Sequence, residues 1–260
     1  MNLLPTISSE WLKFRSVRST LYTLVVTVFL CVGIGALGCF AERQQWPSEH
    51  LPEHLAFDAV RTSLFGFFFA EIAIGVIGVL IMSSEYSSGS IRMTLAATPR
   101  RLSVLISKAG VLFVATLVVG EACAFISFFI GQAILHPVTP SDTLASAGAL
   151  RAVFLAGMSL ALLALLALGF AAMLRHTAGA ITVYVSIQLV LLLIVSALPS
   201  SWNVHIFKFL PEVLTQSMRA AHSNGVQFTS FSPWISTLVL AAYAIASLIG
   251  GGWLLLRRDA

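Results

Sequence analysis

Six apolar stretches of bilayer-crossing length run over residues 20–40, 64–82, 103–135, 152–174, 178–198 and 234–256. A transmembrane helix needs about 20 mostly apolar residues to cross roughly 30 Å of hydrocarbon. The third stretch is long enough to tilt or to extend beyond the bilayer. With 58% of residues hydrophobic and 10% charged, the chain lacks the charge to coat so much apolar surface, since soluble domains are about one quarter charged. The sequence therefore predicts an all-α membrane protein, one transmembrane domain over residues 1–260, with the lipid bilayer as its second solvent.

Charge placement sets an orientation. The net charge of +4 comes in short clusters beside the apolar runs rather than in one stripe, which argues for topology and against nucleic acid as a partner. With the N-terminus in the cytoplasm, ten basic residues lie inside, the densest groups being Lys13, Arg15, Arg18 and Arg92, Arg100, Arg101. Five lie outside: Arg43, Arg61, Arg151, Lys208 and Arg219. The positive-inside rule then places both termini in the cytoplasm. Charges before the first stretch leave no cleavable signal sequence. The three cysteines, Cys31, Cys39 and Cys123, all fall within apolar runs and read as small buried residues, not as a disulfide framework or a metal site.

Two short polar segments stand out. Ahead of the first span, Trp11, Phe14, Val17 and Leu21 share one helical side, with Lys13, Ser16 and Thr20 opposite and Arg15 and Arg18 nearby. This spacing predicts a flat interfacial helix over about residues 8–19, where the stem of Arg18 lies along lipid while its guanidinium reaches the headgroups. Between the second and third spans, residues 87–97 allow a short helix with Ile91 and Leu95 four apart, which Pro99 terminates. A helix that short requires a partner surface, and the chain has no soluble domain to supply one.

The connector carries a recognisable pattern: Glu85, then Gly89-Ser90, Arg92, Leu95, Pro99, Arg101, and Lys108 at the start of the third span. It resembles the ABC-2 type permeases, the transmembrane subunits of type-2 ABC exporters. Their usual Glu-x-x-x-Gly-Thr has serine for threonine here, which keeps the hydroxyl. The N-terminal elbow helix, the six spans and the proline-started "LPEVLTQSM" before the last span are similar too. The resemblance implies that residues 87–97 are a coupling helix docked on separate nucleotide-binding ATPase subunits, with Glu85 held by the partner or by Arg15 or Arg18 of the elbow.

It also implies a second permease copy, identical or related, and export of an amphipathic or hydrophobic compound such as a drug, antibiotic peptide, lipid or glycan from a bacterial plasma membrane. No Gly-x-x-x-x-Gly-Lys-Ser/Thr phosphate loop occurs in the chain. The chain is thus expected to bind no cofactor and to catalyse nothing, ATP and Mg belonging to the partner. An ATP-independent channel or scaffold is the alternative reading. An intramembrane enzyme lacks any catalytic constellation.

Two carboxyls, Glu71 and Glu121, lie several turns inside spans. A lone intramembrane charge costs at least about 2.5–3.5 kcal/mol, so each must be neutral, paired or hydrated. They are candidates either for a polar transport wall or for helix packing. Gln132 and Gln188 are expected to bond between helices. Gly33, Gly35, Gly38, Gly75, Gly78 and Gly250 to Gly252 are expected to allow close backbone approach. His176 reads as a topological flank. "HLPEH", residues 50–54, matches a metalloprotease motif only in letters, because Pro52 separates the two histidines.

Overall fold

A computed structural model describes residues 4–46, 57–90, 101–138, 142–199, 202, 205–221 and 230–257. The architecture is all-α, and six helices are long and apolar enough to cross a membrane. Helix α1 (Leu4–Ser16) precedes the first span, α2 (Arg18–Gln45). A short helix α3 (Ala59–Ser63) leads to α4 (Phe67–Ser87), α5 (Arg101–Leu135), α6 (Ala149–Leu174) and α7 (Thr177–Ser196). The amphipathic α8 (Pro211–Arg219) then precedes the last span, α9 (Pro233–Arg257).

The fourth span is the hub. In its most apolar stretch 78% of residues are buried, against 22% for α2 and α7, and α6 packs along α4, α5 and α9. Small residues make this packing possible. A Cβ on Gly78 would fall on the main-chain carbonyl of Ala164 in α6, and one on Gly75 would fall on the ring of Tyr184 in α7. Gly251 sits likewise against Ala172, and Gly250 against Met173. Gly35 likewise meets the Ser63 carbonyl, whereas Gly33 lies nearest Phe29 of its own span. Gly78→Ala is expected to push α4 off α6 and cost about 1–3 kcal/mol, the usual penalty of overpacking, measurable as a lower thermal midpoint in detergent.

Sequence boundaries shift in informative ways. The first span runs on to Gln45 instead of ending at 40, and it contains a π-helical turn over Leu30–Ile34. The carbonyls of Leu30 and Cys31 there meet Gly66, where a side chain would not fit. The second span starts at Phe67 rather than 64, because residues 64–66 form turns between α3 and α4. It continues to Ser87 rather than 82, so Glu85 belongs to the spanning helix. Ser87, expected to open the connector helix, is instead the last residue of α4.

Helix ends follow local chemistry. Gly89 at φ +70° takes the left-handed conformation that glycine tolerates without strain, and the chain turns helical again at Ser90. His176, read as a topological flank, is the N-cap of α7: its Nδ1 accepts the Gly179 N–H at 3.2 Å. Pro211 opens α8 at the first helical position, where its missing N–H has no intrahelical partner to lose. All three cysteines are free and buried, as expected. The "HLPEH" segment lies outside the described residues.

Candidate functional site

At one end of the bundle four ionised side chains close a ring. Glu10 and Lys13 come from α1, Glu85 from the last turn of α4, and Lys108 from the second turn of α5. Lys108 Nζ donates to Glu10 Oε2 at 2.6 Å and to Glu85 Oε1 at 2.7 Å. Lys13 Nζ donates to Glu10 Oε1 at 2.9 Å and to Glu85 Oε1 at 2.8 Å. Signs alternate around the circuit, so each charge has two opposite neighbours and the ring sums to zero. Lys108 is only 2% exposed and Glu10 4%, whereas the Lys13 side chain is 40% exposed. Burial works to lower the Lys13 pKa, but the hydrogen bonds and attraction from Glu85 and Glu10 prevail and hold it above the ordinary lysine value. Lys13 is therefore charged at neutral pH.

The ring corrects one expectation. Glu85 bonds to Lys13 and Lys108, not to Arg15 or Arg18, which are exposed. The elbow turns Glu10 and Lys13 toward the bundle. Glu10, Phe14 and Thr20 are buried, while Trp11, Val17 and Leu21 are exposed. Trp11 stacks on Phe14, with centroids 6.0 Å apart. The reason is electrostatic: a side carrying Glu10 and Lys13 satisfies buried Lys108 and Glu85, while an apolar side is already at home in lipid. The helix spans Leu4–Ser16, beginning and ending earlier than the expected residues 8–19, and Val17 in an extended conformation breaks it from α2.

Of the connector residues, Glu85 is in the ring, Gly89 forms the turn, and Ser90 Oγ lies 2.9 Å from Ser88 Oγ. Arg101 begins α5. Ile91, Arg92, Leu95 and Pro99 lie outside the described residues.

A second buried charge cluster occupies the opposite part of α4. Glu71 is fully buried and accepts from Arg219 Nη1 at 2.8 Å and Thr215 Oγ1 at 3.2 Å, both on α8. Arg219 also reaches Glu212 at 3.4 Å. Tyr184 donates to the Glu71 main-chain carbonyl at 2.7 Å, bringing in α7. The chain just past α8 is pinned as well. Asp58 Oδ2 accepts the Ala221 N–H at 2.9 Å, and Arg151 donates to the Ala220 and Ala221 carbonyls at 2.8 and 3.1 Å. Glu71 is thus a packing partner in this conformation, not part of an open wall. Arg219, counted among the solvent-side topology charges, is 5% exposed and ion-paired.

Glu121 has no such partner. Both its oxygens are buried without a hydrogen bond, and its carboxyl lies against Gly157 of α6. Gln132 makes the expected interhelical bond, to Ser63 at 3.3 Å. Gln188 does not: its amide is buried and unpartnered on the π-helical turn Ser186–Val190 of α7. Among the described residues no group of His, Cys, Asp and Glu is arranged to hold a metal.

Sequence reasoning missed Glu10, Glu212, Thr215 and Arg219 as site residues. A signal existed for two of them. Glu212 and Arg219 are seven apart, two turns along one face of a proline-started helix. Glu10 lies one turn before Lys13, but nothing local shows that both face a lysine 95 or more positions away.

A search of curated proteins returns no match. The family model for the ABC-2 family transporter protein matches residues 6–192, which takes in most of α1, the whole charge ring, the first four spans and most of the fifth. The chain belongs to the ABC-2 transporter family and is a multi-pass membrane permease of an ABC transporter.

Proposed function

We propose that this chain is the membrane half of an ATP-driven exporter, working with separate nucleotide-binding subunits and a second permease copy, its termini in the cytoplasm of a bacterial cell. The observation that carries this reading is the charge ring. It fastens the root of the connector to the elbow and to the third span, so a push on residues beyond Ser90 reaches three helices together. ATP would favour closed nucleotide-binding subunits, and the connector would then bias the bundle between states of different access. The cargo class is amphipathic or hydrophobic: a drug, antibiotic peptide, lipid or glycan. Support for that class comes from the apolar bundle.

The test is copurification with a nucleotide-binding ATPase subunit, followed by hydrolysis assays. Paired replacement of Ile91 and Leu95 by Asp is expected to cut transport and cargo-stimulated hydrolysis by about tenfold or more, since burying two carboxylates in an apolar dock costs well over 1.4 kcal/mol. Expression and thermal stability should stay unchanged. Full transport by that variant, or ion conduction by the isolated chain without ATP, would overturn the proposal.

A further inference from the structure

A cavity of about 400 Å³ opens between the elbow and the second and third spans. Its lining divides into two zones. One is apolar, made by Phe14, Leu80, Ile81 and Val111; the other holds the charge ring together with Ser88 and Ser90. The cavity sits where α1 meets the first span, beside an extended Val17 that keeps the two helices from closing over it.

Three features define what fits. The ring contributes two carboxylates and two ammoniums, so the polar zone has no net charge and favours neither an anionic nor a cationic headgroup. It does offer both signs at close range, which suits a zwitterion. Glu85 is 7% exposed, and its Oε2 accepts no hydrogen bond although Oε1 accepts two. A buried acceptor left unmade is unfavourable, so a donor entering the cavity beside Glu85 gains a hydrogen bond that the described residues do not supply. Finally, a polar zone continuous with an apolar wall, in a protein that spans the bilayer, matches a molecule with a headgroup and an acyl chain.

The geometry points to a binding site for one phosphatidylethanolamine molecule, its primary ammonium donating to Glu85 and its chain lying on Leu80 and Ile81. Phosphatidylcholine carries the same charges but no N–H, so it lacks the donor. Phosphatidylglycerol lacks the ammonium. The site depends only on insertion in a membrane, not on coupling to ATP hydrolysis, so its test is separate from the transport test above.

The experiment is native mass spectrometry of the full chain in detergent after exchange into equimolar phosphatidylethanolamine, phosphatidylcholine or phosphatidylglycerol. Phosphatidylethanolamine is expected to survive as one bound molecule per chain at about tenfold higher occupancy ratio than phosphatidylcholine, the factor of one charge-assisted hydrogen bond. Ile81→Trp, which fills the apolar wall one turn before Glu85, should abolish that retention. Ile245→Trp, on an exposed position of the last span, should leave it intact. Equal retention of the three lipids by the unaltered protein would overturn the site, and this arm requires no variant to fold. Undiminished phosphatidylethanolamine on a folded Ile81→Trp protein would overturn it equally.

Discussion

Replacing Arg219 by methionine is expected to cost the protein about 3–5 kcal/mol, the penalty of removing one partner from a buried ion pair. The size follows from what remains. Glu71 is fully buried and would keep only the Thr215 hydroxyl at 3.2 Å. Glu212, 1% exposed, would keep the Gln216 amide at 2.9 Å. Two buried carboxylates would then have lost the guanidinium they share, with Arg61 still lining the pocket beside Glu212. Glu71→Gln alone should be much milder, because its amide oxygen still accepts from the guanidinium. Combining Glu71→Gln with Arg219→Met should recover a large part of the loss, since the remaining change approximates replacement of a pair by neutral groups. Thermal unfolding in detergent gives all three values. An Arg219→Met protein with the midpoint of the unaltered chain would show that the pair contributes nothing.

The inner ring makes a different prediction, one that separates a ring from isolated pairs. Lys108→Met should be destabilising by about 3–5 kcal/mol, because Glu10 and Glu85 would be left with Lys13 alone. Exchanging the charges of one pair, Glu85→Lys with Lys108→Glu, would rescue an isolated ion pair. Here it should fail. Residue 85 would then face Lys13 with like charge, and residue 108 would face Glu10 with like charge, two repulsions in place of two attractions. Inverting all four positions restores alternation and is expected to recover most of the stability. The order of midpoints, four-fold inversion above the double exchange, is the readout; the reverse order would mean that the four groups act as independent pairs.

Much of this architecture was legible in the sequence because length and hydropathy are local quantities. All six spans and the proline-started helix could be located within a few residues. The second span was misplaced at its C-terminal end for a physical reason: "SSEYS" is polar, yet bonds from two lysines offset the desolvation of a glutamate placed in a spanning helix. Apolar spacing identified a helix correctly, but in a membrane the apolar side does not have to face protein, so amphipathicity alone does not say which side docks. The partner of Glu71 was beyond reach, since Arg219 lies 148 positions away and looked like a topology charge. Conversely, the requirement that an intramembrane carboxyl be paired, neutral or wet held for Glu71 before any partner was known.

The two charge clusters share a single element, α4, with Glu71 and Glu85 separated by 14 residues. At 1.5 Å per residue that is about 21 Å of uninterrupted helix, and at 3.6 residues per turn the two side chains point within roughly 40° of one another. An α-helix transmits axial load without shortening, so a member anchored near both extremities behaves like a connecting rod. Any stroke applied at the Glu85 bearing must either shift the Glu71 bearing by a comparable amount or shear one of the two joints.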